Sequence, residues 1–108
     1  GAIFDDMLFE NGATIEHDRF CNVRIEVELA FVLGAAVHGP AATIFDVLRA
    51  TDYVVPALEI LSSRIELPGR TIIDTISDNA AMGAMIYGGN PTSVRDVDLR
   101  WVSALLYR

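Results

Sequence analysis

Apolar and polar positions alternate most regularly over Arg24 to Leu33, where Ile25, Val27, Leu29, Phe31 and Leu33 fall on one side of the chain and Glu26, Glu28, Ala30 and Val32 on the other. That period of two predicts a strand, closed by Gly34 and followed by a Gly39-Pro40 break. Thr43 to Tyr53 predicts a helix: Thr43 can cap it, Asp46 stands three residues on, and Ile44, Val47 and Leu48 form an apolar stripe. The apolar run Val54 to Leu61 reads as a strand, edge-like where Pro56 removes a donor. Thr71 to Ile76 has the β-branched content of a strand, Met82 to Tyr87 is apolar again, and Asp98 to Tyr107 alternates like a last strand. Asn11-Gly12 after Phe4 to Phe9 marks a turn and suggests a hairpin, Pro68-Gly69 marks another turn, and Gly88-Gly89-Asn90-Pro91 breaks the chain. Ser77-Asp78-Asn79 reads as a loop or the start of a short helix. The sum is a β-rich mixed α/β domain with one or two short helices, without internal repeat or low-complexity segment.

Composition adds limits. The 108 residues are 52% hydrophobic, enough for a core and unlike a disordered chain. A net charge of -7 argues against a nucleic-acid partner, which needs a basic footprint. All eight basic residues are arginines. The single Cys21 cannot close an intrachain disulfide, which fits a reducing cytoplasm. No apolar run reaches the roughly 20 residues of a membrane helix. The chain opens on Gly1 and stops in a strand-like run, so residues 1–108 are expected to be one segment from the middle of a longer catalytic domain.

Glu26 and Glu28 carry the most suggestive chemistry. Two residues apart on a strand, their carboxylates project the same way about 6–7 Å apart. Like charges beside apolar neighbours repel unless a proton or cation lies between them, and a hard divalent ion held by oxygens resolves the conflict. A solvated strand face that happens to carry two glutamates explains the same spacing. Glu59, between Leu58 and Ile60, is either on a wet face or the third carboxylate of an all-oxygen site suited to magnesium or manganese. Asp78-Asn79 either lines a site or caps the residues after it. Asp5-Asp6, His17, His38 and Cys21 read as surface or inert residues, Trp101 as a core or interface aromatic, and Gly88-Gly89 does not match a phosphate loop.

In order along the chain, Asp18-Arg19-Phe20, Arg24-Ile25-Glu26-Val27-Glu28-Leu29-Ala30-Phe31, Ala50-Thr51-Asp52-Tyr53-Val54, Pro56-Ala57-Leu58-Glu59 and Asp74 to Ala80 resemble the hydratase/decarboxylase branch of the fumarylacetoacetate hydrolase superfamily. Asp98-Leu99-Arg100-Trp101 extends the resemblance, and Val23 departs from it where proline is usual. The resemblance implies a distorted β-sandwich or β-roll that assembles as a homo-oligomer, with edges left exposed in this segment. It implies that Glu26, Glu28 and Glu59 bind Mg²⁺ or Mn²⁺, and that Asp78 and Asn79 contact substrate. The implied activity is a lyase reaction: hydration of an unsaturated 2-oxo acid of the 2-oxohept-4-ene-1,7-dioate type, in homoprotocatechuate degradation. A 2-oxo-3-hexenedioate decarboxylase, or a metal-binding fragment with no activity of its own, is the alternative. The implied partner is a small molecule, with neither nucleic acid nor membrane. In that family a lysine and an acid upstream of this segment move the protons, so no catalytic residue is expected within it.

Overall fold

A computed structural model describes residues 1–66 and 68–107. Four strands form one mixed sheet: β1 (Leu8–Glu10), β2 (Arg24–Leu33), β3 (Thr51–Leu61) and β4 (Met82–Tyr87), side by side in the order β1-β4-β3-β2. β3 is antiparallel to both neighbours, and β1 runs parallel to β4. Two short helices, α1 (Ile44–Ala50) and α2 (Ile72–Ser77), stand before β3 and β4.

The alternation over residues 24–33 gives β2 as expected, and its whole length pairs with β3. The run around Pro56 is not an edge. β3 is central, and it begins three residues earlier, at Thr51. The missing N–H of Pro56 is tolerated because β4 ends opposite Ala57. Beyond that point the Pro56 carbonyl accepts from Gly88 N, and pairing resumes only at the Val54–Thr92 bridge. The proline occupies the gap, with its ring against Gly89, whose φ of +71° lets the chain turn away there.

Helix α1 carries the predicted capping box, the Thr43 hydroxyl accepting from Asp46 N while the Asp46 carboxylate accepts from Thr43 N. It ends at Ala50 rather than Tyr53, because Thr51 and Tyr53 pair with Leu33 and Val32 of β2. The strand expected over 71–76 is α2 instead. Thr71 and Asp74 form a second capping box there, and its local hydrogen bonds outweigh the β-branched composition. Asn11-Gly12 is a turn but closes no hairpin, since β1 pairs with the distant β4. Residues 98–107 form no strand: they run as an irregular segment, with Trp101 81% exposed.

The tightest packing lies along β3 and the start of β4, where Val54, Val55, Ala57, Met82 and Ala84 are buried. The side of the sheet bearing Ile25, Val27, Phe31 and Leu33 stays largely open, each of these residues being at least 40% exposed. β2 is also a ten-residue edge strand, unpaired on its outer side among the described residues.

Candidate metal centre

Register builds the site. Glu26 of β2 lies directly opposite Glu59 of β3, so both side chains rise from the same face of the sheet, and Glu28 follows two residues along β2 on that face. One carboxylate oxygen from each of the three lies within 4.8 Å of the others. Among the described residues this is the one such gathering of metal-ligating side chains. Glu26 and Glu28 are exposed on the edge strand, while Glu59, on the central strand, is half-buried.

Among the described residues no ion pair relieves the three charges. The ion pairs among the described residues join Arg19 to Asp6, Arg49 to Asp46, Arg64 to Asp78 and Arg100 to Asp98, and none includes these glutamates. Burial pushes the Glu59 carboxyl above its ordinary value, the charges of Glu26 and Glu28 push it further, and the amino group of Gly1 pulls weakly the other way. A site whose carboxylates repel one another in this way favours a bound cation.

The donor set fits a hard divalent ion: all ligands are oxygens, all are anionic when deprotonated, and no histidine or thiolate joins them. Adjacent corners of an octahedron with metal–oxygen bonds near 2.1 Å are about 3 Å apart, so small rotamer adjustments bring the three oxygens to one ion. Three protein ligands leave the other positions for water or substrate oxygens.

Asp78 and Asn79 lie outside this cluster and are hydrogen-bonded to the surrounding chain. The Asp78 carboxylate is buried and accepts from the backbone N–H of Arg64 at 2.9 Å and from its guanidinium, which also donates to the Asp78 carbonyl at 2.7 Å. Burial works to raise this carboxyl, but the Arg64 hydrogen bonds and the charges of Arg64 and Arg70 outweigh it and hold the group below the usual range. Asn79 spends its side chain on the backbone of Ala2, which it meets through both its amide nitrogen and its oxygen. The clamp steadies an unusual turn: Asn79, Ala80 and Ala81 all have φ between 54° and 59°, a left-handed conformation that costs roughly 1–2 kcal/mol per non-glycine residue. Arg64, which sequence reasoning passed over, organises this turn. No local pattern marks it, because its partner lies fourteen residues on.

His17 lies in a short 3₁₀ turn at the surface, and His38 and Cys21 are exposed, all outside the cluster. Asp5 and Asp6 begin another 3₁₀ turn, with Asp6 paired to Arg19. Past the glutamates the same face becomes apolar. Ala30, Val32, Tyr53, Val55, Met85 and Leu8 line a trough of about 520 Å³ there.

The chain is 52% identical, over its full length, to 2-oxo-hept-4-ene-1,7-dioate hydratase of Escherichia coli, of which it spans 43%. It is 43% identical, again over its full length, to 2-keto-4-pentenoate hydratase of Paraburkholderia xenovorans, spanning 40% of that enzyme. In structure it matches 4-oxalocrotonate decarboxylase from Pseudomonas putida G7, solved with magnesium and adipate, with a TM-score of 0.81 at 34% identity over 89% of this chain and 36% of that one. The same decarboxylase with calcium and acetate matches with a TM-score of 0.77. No protein-family model matches. These hydratases and this decarboxylase are the kinds of relative that the sequence resemblance implies, and the mixed sheet agrees with the expected fold class. The chain spans about two fifths of the length of the curated relatives it matches.

Proposed function

We propose that the complete protein is a divalent-metal-dependent hydratase, adding water to an unsaturated 2-oxo acid of the 2-oxohept-4-ene-1,7-dioate type in the catabolism of aromatic compounds, specifically homoprotocatechuate. The reading is carried by one observation: the β2–β3 register brings Glu26, Glu28 and Glu59 together. Identity of 52% and 43% to about two fifths of two hydratases supports it.

In this reading the three glutamates hold Mg²⁺ or Mn²⁺. When bound, such an ion supplies electrostatic stabilisation to negative charge on the substrate's 2-oxygen. The residues of this chain do the positioning. Glu26 and Glu59 set the site over the β2–β3 pair at the edge of the sheet, and Glu28 extends it along β2. The apolar trough beside them keeps water away from one side of the bound acid. Proton transfer is assigned to groups outside this segment, and the Arg64–Asp78 clamp is assigned to holding the left-handed turn at 79–81. The protein is read as cytoplasmic and homo-oligomeric, acting on a small molecule. No helix among the described residues is long and apolar enough to cross a membrane.

A decarboxylase of the 2-oxo-3-hexenedioate type is the second reading, favoured by the structural match to 4-oxalocrotonate decarboxylase. Product analysis separates the two, since hydration leaves every carbon in place whereas decarboxylation releases CO₂. Glu26→Ala in the complete enzyme should abolish metal-dependent turnover. A variant as active as the parent would remove Glu26 from the site.

A further inference from the structure

The face that carries the glutamates has a direction. Along β2 it presents Arg24, Glu26, Glu28, Ala30 and Val32 in turn, with no irregularity in the pairing until Val32 and Leu33. Arg24 pairs with Leu61, two residues beyond the Glu26–Glu59 pair, which sets it about 6–7 Å from Glu26 along the strand. It is exposed and belongs to none of the ion pairs found among the described residues, despite the acidic pair beside it. It is also the one basic residue that the four strands place on this face. At the opposite end lies the apolar trough of Ala30, Val32, Tyr53 and Val55.

Charge decides how a substrate lies here. Three carboxylates and one divalent ion leave a net charge of about -1, and a dicarboxylic substrate makes the site more negative still. A second carboxylate laid in the apolar trough would be desolvated without a partner. At Arg24 it would meet a guanidinium fork shaped for a carboxylate.

We propose that Arg24 is a specificity-determining residue that receives the distal carboxylate of a dicarboxylic substrate whose 2-oxo acid end sits at Glu26, Glu28 and Glu59. Monocarboxylic analogues then lie the other way, with their tails in the trough. The inference rests on the hydratase reading and adds to it the orientation of the substrate.

The test uses the complete, Mg²⁺-loaded protein and two acids of equal chain length, adipate and hexanoate, with binding read by calorimetry. Arg24→Gln should lower the ratio of adipate to hexanoate affinity about 10-fold, the usual consequence of losing a charge-assisted hydrogen bond. Arg24→Lys should recover part of it, since a point charge replaces the fork. Turnover should follow through KM for the diacid substrate rather than through kcat. Retained hexanoate binding shows that a variant is folded. A ratio unchanged in Arg24→Gln, or both affinities falling equally, would overturn the role of Arg24 while leaving the hydratase reading intact. A parent protein that binds neither acid in a metal-dependent way would overturn both.

Discussion

Partial burial and the neighbouring charges of Glu26 and Glu28 raise the Glu59 carboxyl from its ordinary value, whereas Arg64 holds the Asp78 carboxyl below its own despite burial. These shifts have opposite consequences for stability. A carboxyl raised in the folded state binds its proton more tightly there than in the unfolded chain. Ionised Glu59 therefore costs stability at neutral pH, and the cost is relieved as pH falls through its folded value. Asp78 contributes stability above the ordinary carboxylate range, and this is lost as pH falls through its depressed value. In the proposed metal site, metal binding and protonation would compete at Glu59. Glu59→Gln is accordingly expected to raise the melting temperature of the metal-free protein at neutral pH and to remove the further rise that Mg²⁺ gives the parent. Thermal melts with and without Mg²⁺ check this, and a Mg²⁺-induced rise retained in the variant would contradict it. The pairing of Glu26 with Glu28 is legible in the sequence because strand alternation is local. Glu59 is legible only as a candidate third carboxylate: its place opposite Glu26 depends on the register between β2 and β3, which no local pattern fixes.

At the scale of elements, what could be read was whatever local chemistry specifies. Thr43 and Asp46 announce α1, and the uninterrupted alternation announces β2. The same Thr-x-x-Asp spacing at Thr71 and Asp74 announces α2, but Ile72, Ile73 and Ile76 hide it behind a strand-like composition. Those isoleucines are 67–71% exposed, so packing within this segment does little to hold α2, and its cap matters correspondingly more. Thr71→Ala should cost about 1 kcal/mol, measured by urea unfolding. A loss near zero would show that contacts other than the cap hold the helix. The central place of β3 was not readable, because a proline inside a strand argues for an edge unless the neighbouring strand is known to stop beside it. The parallel partner of β1 lay equally out of reach, being set by a contact across most of the chain.

The whole molecule presents two unlike sheet faces. One carries the carboxylates, with Arg24 on one side and the apolar trough on the other. The other carries Ile25, Val27, Phe31 and Leu33 in the open, while Trp101, Leu105 and Tyr107 are at least 80% exposed nearby in sequence to one another. Apolar surface on this scale, with a long unpaired edge at β2, promotes association. Residues 1–108 produced alone should therefore self-associate in sedimentation experiments, and a stable monomer at high concentration would contradict that. The proposed function depends above all on a divalent-metal site at Glu26, Glu28 and Glu59. Electron paramagnetic resonance of Mn²⁺ with the complete protein, beside a Glu26→Gln/Glu28→Gln variant, tests it most directly. Tight binding by the parent should disappear in the variant. Binding of equal strength in both would place the ion elsewhere and leave the glutamates as a solvated strand face.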